Sequence, residues 1–309
     1  MKVVRQPTEL QTNGRKVCIA IGVFDGVHLG HQQVIRQTNA DARQHEALSV
    51  AVTFDRHPSS VVAPERAPAL IYSLPQKLRA IESLGVNATL LIEFTEAFSR
   101  KNGEEFVDEL AQGFGGIHSV CVGSAFTFGH KRSGNVDLLR KLGAEMKFNV
   151  HGLAALALDG KTVSSTRIRE CIRSGNLDGA SQMLGRSYAI AGKVMVGDRL
   201  GRTLGAPTAN VDIAGLVLPP NGVYAVHAET NERSYRAVAN LGVRPTLNNP
   251  APKQRFEVHL LDFEGDLYGN EMEITFVERI RDEQKFASLD TLKAQIGADV
   301  ELARKIFTS

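Results

Sequence analysis

Residues 16–31 read Lys-Val-Cys-Ile-Ala-Ile-Gly-Val-Phe-Asp-Gly-Val-His-Leu-Gly-His. The apolar run 16–21 predicts a buried parallel strand, and the apolar residues at helical spacing after Gln32 predict a helix. A glycine-rich turn between a strand and a helix directs free backbone N–H groups toward one point, which favours an anion. His28 and His31 are three residues apart, so both imidazoles can face that same point.

The spacing of this segment excludes several known motifs. Neither the dinucleotide pattern G-x-G-x-x-G nor the phosphate loop G-x-x-x-x-G-K-[ST] occurs in it, and its His-x-x-His spacing differs from the i, i+4 pair of helical zinc proteases. A single histidine near a helix start is usually a solvated surface residue. Two histidines and three glycines within ten residues instead favour a phosphate site made of imidazoles and backbone N–H groups.

Composition sets broader limits on the class of protein. The chain has 309 residues, which exceeds the usual length of a domain with a single hydrophobic core, so we expect two domains. The net charge of +2 does not require a nucleic-acid partner. Cys18, Cys121 and Cys171 are widely separated, which predicts neither a disulfide nor a zinc site and favours a reducing compartment. Because the chain has neither a signal peptide nor an apolar run of ~20 residues, we expect a cytoplasmic protein without a membrane partner.

Strands and helices alternate in the first half of the chain. The predicted strands are 16–24, 48–54, 88–94 and 117–123, and the predicted helices are 31–45, 75–84, 103–112 and 135–142. This alternation predicts an α/β fold in which helices cover both faces of a parallel sheet. Binding sites in such folds lie beyond the carboxyl ends of the strands. The segments at those ends are 24–31, 55–58 and 123–132.

From about residue 184 the pattern changes to β segments separated by glycine and proline. We expect strands near 187–197, 222–230, 234–240, 254–263 and 271–280. Closing these antiparallel strands into a small barrel removes exposed edges. Turn residues predict a hairpin over Asp262–Gly269. A final amphipathic helix begins at Ser288, with an apolar face of Leu289, Leu292, Ile296, Val300, Ala303 and Ile306. The short helical linker 177–187 divides the chain into predicted domains 1–183 and 184–309.

Several motifs resemble those of bacterial bifunctional riboflavin kinase/FAD synthetases. The motifs are His28-Leu29-Gly30-His31 (H-x-G-H), Thr53-Phe54-Asp55-Arg56-His57-Pro58 (T-F-D-x-H-P), Val163-Ser164-Ser165-Thr166-Arg167-Ile168-Arg169 (I-S-S-T-x-I-R) and Gly201-Arg202-Thr203-Leu204-Gly205-Ala206-Pro207-Thr208-Ala209-Asn210 (G-R-x-L-G-F-P-T-A-N). They follow the family's order along most of the chain. The resemblance implies a Rossmann-like nucleotidyltransferase domain, followed by a β-barrel kinase domain.

For the first domain, the resemblance implies transfer of AMP from ATP to FMN, giving FAD. His28, His31 and Arg167 are the implied catalytic residues. The implied ATP-binding residues are Gly22, Phe24, Asp25, Gly26, His28, Gly30, His31, Ser164, Ser165, Thr166 and Arg169. The implied flavin-binding residues of this domain are Asp55, His57, Pro58 and Phe126, and Arg279 is the implied flavin-binding residue of the second domain. Serine is also a good helix N-cap, so one of the two serines is open to a purely structural role.

For the second domain, the resemblance implies phosphorylation of riboflavin by ATP. Gly201, Arg202, Gly205 and Pro207 are the implied ATP-binding residues. Thr208 and Asn210 offer hard oxygen ligands for Mg²⁺ or a similar divalent cation. Glu257 is the implied base that takes the proton of riboflavin's terminal hydroxyl. Together the two domains imply riboflavin, FMN and ATP as small-molecule substrates, no nucleic-acid partner, and a monomer or weak oligomer.

Two departures from the family pattern leave alternatives open. Ala125 stands where related proteins commonly have Asp or Asn, and a methyl group accepts no hydrogen bond. Ala206 replaces the usual Phe. Because of Ala125, the first alternative is a riboflavin kinase with a weak or repurposed adenylyltransferase domain. The second, which is supported by the slightly basic pI and the predicted small barrel, is a non-catalytic nucleotide- or RNA-binding protein and predicts salt-sensitive RNA binding without turnover.

Overall fold

The computed structural model describes residues 1–196, 206–244 and 253–308, and divides the chain into two compact units. Unit 1 comprises residues 1–168 and 183–185, and unit 2 comprises residues 169–182 with the chain from 186 onward. The side chains of residues 244 and 253 are not described. In the described ranges, no helix is both long enough and apolar enough to cross a membrane.

Unit 1 is built on a parallel sheet. Its strands are β1 (Lys2–Val4), β2 (Val17–Ile21), β3 (Leu48–Phe54), β4 (Ala88–Ile92), β5 (Ile117–Gly123), β6 (Asn149–Leu153) and the short pair β7 (Ala157–Leu158) and β8 (Lys161–Thr162). Its helices are α1 (Leu29–Gln44), α2 (Ser59–Val62), α3 (Leu74–Glu82), α4 (Glu96–Ser99), α5 (Gly103–Phe114) and α6 (Val136–Met146). The helices α7 (Ser165–Ser174) and α8 (Leu177–Leu184) each contribute residues to both units.

The sheet has the strand order β1-β4-β3-β2-β5-β6, with every neighbouring pair parallel. One core cluster contains Phe106 of α5 and Leu139 of α6, and the other contains Ile35 of α1 and Ile81 of α3. Helices therefore cover both faces, which confirms the predicted fold class. The chain order reverses between β2 and β5, so the carboxyl ends of these two strands border a crevice of the kind that binds ligands.

Unit 2 is a closed antiparallel barrel with a final helix. Its strands are β9 (Ala189–Met195), β10 (Ala209–Val211), β11 (Gly222–Thr230), β12 (Arg233–Arg244), β13 (Lys253–Leu260) and β14 (Glu271–Arg281), and the helix is α9 (Leu289–Ile306). The barrel order is β10-β13-β12-β11-β14-β9. Inside the barrel, the ring centroids of Tyr224 and Phe256 lie 5.1 and 5.9 Å from that of Phe276. These findings confirm the predicted barrel.

The predicted hairpin over Asp262–Gly269 is wrong. Strand β13 pairs with β10 and β12, whereas β14 pairs with β9 and β11. Turn residues reverse the chain direction locally, but barrel closure decides which strands become neighbours. Segment 262–269 therefore connects two strands that are not adjacent.

Helix α9 begins as predicted, because the Ser288 side chain accepts a hydrogen bond from the Thr291 N–H. Its apolar face is partly wrong: Leu289 is 63% exposed, whereas Asp299 is only 4% exposed. Asp299 is buried because Arg281 reaches it from β14, with Nε–Oδ1 and Nη2–Oδ2 distances of 2.9 and 2.7 Å. A carboxylate paired in this way replaces an apolar contact between helix and barrel.

We expect Asp299→Asn to lower the free energy of unfolding by about 3 kcal/mol, because removing one partner leaves a largely buried charge uncompensated. The Arg281 side chain is only 20% exposed. Urea denaturation followed by circular dichroism measures the change. Asp262→Asn is a matched control, since Asp262 makes a similar two-bond contact with Arg304 but is exposed. Equal effects of the two substitutions would contradict this account.

Candidate active sites

The turn after β2 depends on residues that tolerate unusual backbone angles. Phe24 and Gly26 have φ values of 52° and 76°, in the left-handed region. A Cβ at Gly22 would lie 2.6 Å from the Phe24 ring, and one at Gly26 would lie 3.0 Å from Ile71. These three predicted ATP-binding residues therefore shape the loop through backbone conformation and close packing.

Asp25 anchors this turn from inside the protein. Its side chain is buried, and Oδ1 accepts hydrogen bonds from the Ile71 and Tyr72 N–H groups at 2.9 and 3.3 Å. Its backbone carbonyl accepts a hydrogen bond from Ser165 Oγ at 3.1 Å. Asp25 thus links the turn to two segments that are distant in the sequence.

His28 and His31 form a stacked pair at the start of α1. Their ring centroids are 3.6 Å apart with an angle of 19° between the planes. His28 is the N-cap residue, and its Nδ1 accepts a hydrogen bond from the His31 N–H at 3.4 Å. A Cβ at Gly30 would lie 3.2 Å from the His28 ring, so glycine allows the close stacking. The sequence prediction that both rings face one point agrees with this geometry.

His31 is held as a neutral imidazole. Burial lowers its pKa well below the ordinary histidine value, and the charges of His28 and Lys77 lower it further. Within the described part of the chain, its buried Nδ1 has no hydrogen-bond partner. An unsatisfied buried nitrogen costs free energy, and such groups call for a functional explanation.

The neutral state of His31 predicts acid sensitivity. The unfolded chain protonates this histidine below about pH 6.5 whereas the folded state does not, so the free energy of unfolding should fall as the pH drops below that value. His31→Gln should reduce this slope. Urea denaturation at pH 5 and pH 7.5 measures it, with the exposed His130→Gln as control. An unchanged slope in the His31 variant would contradict the assignment.

The segment after β3 borders the same turn. Asp55 accepts a hydrogen bond from the Phe94 N–H and pairs with Arg56, both at 2.9 Å. Burial raises the pKa of Asp55, but these two contacts outweigh it and hold the pKa below its ordinary value. His57 Nδ1 accepts a hydrogen bond from the Ser59 N–H at 3.2 Å, and Pro58 is half-buried. One recess is lined by Val23, Asp25, Asp55, Arg56, His57, Leu70, Tyr72, Leu74 and Lys77.

The start of α7 uses its two serines differently. Ser164 Oγ accepts a hydrogen bond from the Arg167 N–H at 3.3 Å and so caps the helix, which confirms a structural role for one serine. Ser165 contacts the carbonyl of Asp25, as described above, and Thr166 is exposed. The start of α7 is thereby fastened to the turn that carries the histidines.

The two arginines of α7 have different surroundings. Arg167 Nη1 donates hydrogen bonds of 3.0 Å to the carbonyls of Leu158 and Lys161, in the β7–β8 pair. Arg169 is 6% exposed and belongs to the part of the helix assigned to unit 2. The catalytic role of Arg167 and the ATP contact of Arg169 stay predictions.

The loop after β5 carries Ala125, which is exposed, and Phe126, which is half-buried. Phe126 stacks on Phe128 with centroids 5.4 Å apart. A continuous series of aromatic contacts runs from Phe128 through Phe106, Phe98 and Phe94 to Phe54 at the end of β3. The loops after β3 and β5 are thus joined by an apolar platform.

In unit 2, Glu257 lies between two asparagines. Asn210 of β10 and Asn240 of β12 are both directly opposite Glu257 of β13 in the strand register. The Glu257 side chain is 23% exposed and lies on the face opposite the buried Phe256. This polar row therefore faces away from the barrel interior.

Arg255 joins two members of this row and was not predicted from the sequence. Its Nε donates to Asn210 Oδ1 at 3.0 Å, and its Nη2 lies 3.1 Å from Glu257 Oε1. The available signal was its i, i+2 spacing from Glu257, which places both side chains on one face of a strand. The ion pair orients the carboxylate.

The remaining predicted residues of unit 2 are less closely grouped. Thr208 is half-buried, and the Pro207 carbonyl lies 2.8 Å from His259 Nδ1. Arg279 Nη2 lies 2.6 Å both from the Asn221 carbonyl and from Asp282. Gly201, Arg202 and Gly205 lie outside the described residues. Within the described ranges, no group of three or more His, Cys, Asp or Glu side chains could hold a metal ion.

Comparison with family models identifies two enzyme classes in the chain. Residues 10–167 match the model described as FAD synthetase, and residues 184–307 match the model described as riboflavin kinase. The first match contains the histidine turn, and the second contains Glu257 and its asparagine neighbours. The two matches correspond to the α/β sheet and the β-barrel, respectively.

Full-length relatives combine both classes. The chain is 38% identical over 306 residues to a bifunctional riboflavin kinase/FMN adenylyltransferase of Pseudomonas fluorescens, covering 99% of this chain and 98% of the relative. It is 37% identical over 309 residues to the enzyme of the same name from Escherichia coli strain K12, with the same coverage. The chain belongs to the bifunctional riboflavin kinase/FMN adenylyltransferase family.

A solved structure supports the likeness of fold. The crystal structure titled a macrolide-efflux protein from Streptococcus pneumoniae gives a TM-score of 0.81 at 30% identity, covering 98% of both chains. The similarity therefore extends over both units of this chain.

Proposed function

We propose that this chain makes FAD from riboflavin in two ATP-dependent steps. The barrel unit transfers the γ-phosphoryl group of ATP to riboflavin, giving FMN and ADP. The α/β unit then transfers AMP from a second ATP to FMN, giving FAD and pyrophosphate. The observation that carries the proposal is the stacked His28–His31 pair at a helix N-terminus, in a chain similar to bifunctional relatives over its full length.

In the adenylyl transfer step, a phosphate oxygen of FMN attacks the α-phosphorus of ATP and pyrophosphate leaves. His28, His31 and the free N–H groups of α1 bind the triphosphate and stabilise the charge that develops on its oxygens. Ser164, Ser165 and Thr166 at the start of α7 are proposed to contact the same triphosphate. The catalytic and ATP-binding roles of Arg167 and Arg169 remain part of the proposal, although Arg167 must leave its carbonyl partners to act there.

The flavin of FMN is proposed to bind at the loops after β3 and β5. Asp55 and His57 are polar groups in the lining of the recess, and Pro58 and Phe126 offer apolar surface. The aromatic platform supports this assignment because planar rings stack favourably on one another. Arg279 is proposed to contact the riboflavin that unit 2 phosphorylates.

In the kinase step, Glu257 takes the proton of riboflavin's terminal hydroxyl as the oxygen attacks the γ-phosphorus. The ion pair with Arg255 holds the carboxylate in one orientation. Pro207 and the loop residues Gly201, Arg202 and Gly205 are proposed to contact ATP. In phosphoryl transfer, positioning of the substrates and stabilisation of charge supply most of the rate acceleration.

Mg²⁺ is proposed to be held by Thr208 and Asn210. Both offer neutral oxygens, and the Asn210 amide oxygen keeps one lone pair besides that used by Arg255. Mg²⁺ usually takes few protein ligands and completes its coordination with water and substrate phosphates, so a small donor set fits. When bound, the ion neutralises charge on the phosphate oxygens.

The functional domains are proposed as 1–183 and 184–309. The family models support this division, because one ends at residue 167 and the other begins at residue 184. We further propose a monomer or weak oligomer that acts in the cytoplasm without nucleic-acid or membrane partners. The three free cysteines, Cys18, Cys121 and Cys171, fit a reducing compartment.

One observation favours a second candidate, a riboflavin kinase with slow adenylyl transfer. Ala125 is exposed in the loop after β5, at the crevice where β2 and β5 end. Its methyl group offers no hydrogen bond to a ribose hydroxyl or to a cation.

A single assay tests these candidates. The full chain is incubated with riboflavin, ATP and Mg²⁺, the flavins are resolved by chromatography, and ADP and pyrophosphate are quantified. We expect FAD with equal amounts of ADP and pyrophosphate. Accumulation of FMN without FAD would support the second candidate. Absence of turnover together with salt-sensitive RNA binding would contradict both enzyme candidates.

A further inference from the structure

Lys77 is a buried lysine in unit 1. It lies on α3 and is 7% exposed. Lysine is almost never buried unless its charge is compensated, because transfer of an ammonium group out of water is costly. In the sequence, Lys77 stands three residues after Leu74 and four before Ile81, which places it on the apolar face of the helix. A purely structural role at this position is better served by an apolar residue.

The ammonium group of Lys77 joins the ends of two strands. Its Nζ donates to the carbonyl of Phe54 at 2.6 Å, and it lies 3.5 Å from both the carbonyl of Val23 and Thr53 Oγ1. Thr53 Oγ1 itself donates to the Val23 carbonyl at 3.0 Å. Val23 begins the turn that carries the histidines, and Phe54 directly precedes the loop of Asp55.

These three hydrogen-bond partners are neutral oxygens, so none of them cancels the positive charge. Burial lowers the pKa of Lys77 to about 8, while the more distant charges of Asp25 and Asp55 raise it. The group therefore stays mainly protonated at pH 7. Its positive charge acts on the histidine pair, because it contributes to the lowered pKa of His31.

We propose that Lys77 is a positioning residue for adenylyl transfer, in that it fixes the separation of the two loops and keeps the crevice beside His28 and His31 electropositive. This inference rests on the adenylyl transfer proposed for unit 1. A displacement of about 1 Å in a catalytic group can lower a rate by about 10²-fold. A fixed positive charge in a water-poor site attracts phosphate oxygens more strongly than it does in water.

The test compares Lys77→Met with Lys141→Met in the full chain. Methionine keeps most of the volume and removes the charge, and Lys141 is 63% exposed on another helix. We expect Lys77→Met to lower kcat/KM for ATP in FMN adenylylation by about 100-fold, with a lower kcat as well as a higher KM. Riboflavin phosphorylation should be unchanged in both variants, which shows that unit 2 is folded and that each chain is correctly quantified, and circular dichroism of both variants checks that unit 1 is folded.

A second measurement separates this inference from the proposed function. Isothermal calorimetry gives the affinity of the parent and variant chains for inorganic pyrophosphate, and we expect binding by Lys77→Met to be at least about tenfold weaker. If the parent adenylylates no FMN, the proposed function fails, while the pyrophosphate comparison still tests Lys77. If the variant only melts at a lower temperature but retains parental kcat/KM and pyrophosphate affinity, the positioning role is overturned.

Discussion

His31→Ala is expected to slow the formation of FAD from FMN and ATP by about 10³-fold, as is typical when one group that stabilises transition-state charge is removed. His31 stacks on His28, is neutral and has a buried ring nitrogen without a partner in the described chain. Alanine removes the ring from the helix N-terminus where the triphosphate is proposed to bind. Chromatography of the flavins after incubation with FMN, ATP and Mg²⁺ measures the rate.

The controls for this variant lie in the same molecule. Riboflavin phosphorylation should continue at the parental rate, because Glu257 and its neighbours are unchanged. His130→Ala removes an exposed histidine of unit 1 and should leave FAD formation unaffected. A His31 variant that formed FAD within tenfold of the parental rate would remove this histidine from the proposed mechanism.

Glu257→Gln is expected to slow the phosphorylation of riboflavin by about 10³-fold, within the range for loss of a general base. Glutamine has nearly the same shape but cannot take the hydroxyl proton, and it loses the ion pair with Arg255. The initial rate of FMN formation from riboflavin, ATP and Mg²⁺ measures the effect. Glu264→Gln, in an exposed loop of the same unit, is the matched control.

The two variants should block different steps. The Glu257 variant should convert added FMN to FAD but accumulate unreacted riboflavin, whereas the His31 variant should accumulate FMN. A Glu257 variant that phosphorylated riboflavin at the parental rate would refute the base assignment. A variant that lost both activities would indicate a folding defect, which the free energy of unfolding would reveal.

The sequence predicted those features that depend on local pattern. The strand–turn–helix at residues 16–45 followed from an apolar run, a glycine-rich turn and helical spacing, and the structure confirms it as β2 and α1. Ser288 was correctly predicted as the start of the last helix because a hydroxyl can cap the free N–H groups of that helix. The short edge strands β1 and β6 were missed, since three to five residues carry little periodicity.

Contacts between distant segments could not be predicted in this way. The burial of Asp299 depends on Arg281, and the exposure of Leu289 depends on where the barrel surface ends. The position of Glu257 between Asn210 and Asn240 depends on the barrel register, which no single strand specifies. The sequence gives no sign that Lys77 is special, because its contacts at the ends of β2 and β3 form only in the folded protein.

By itself, the sequence determined the longer strands and helices, the fold class and the residue types that can hold phosphate. These follow from the periodicity of apolar residues and from the chemistry of histidine, serine and glycine side by side in the chain. Tertiary structure alone decided that His31 is neutral, that Arg167 binds the β7–β8 carbonyls, and that Lys77 joins two strand ends. The physical reason is that burial and hydrogen bonding depend on neighbours in space, and folding brings these neighbours from distant parts of the chain.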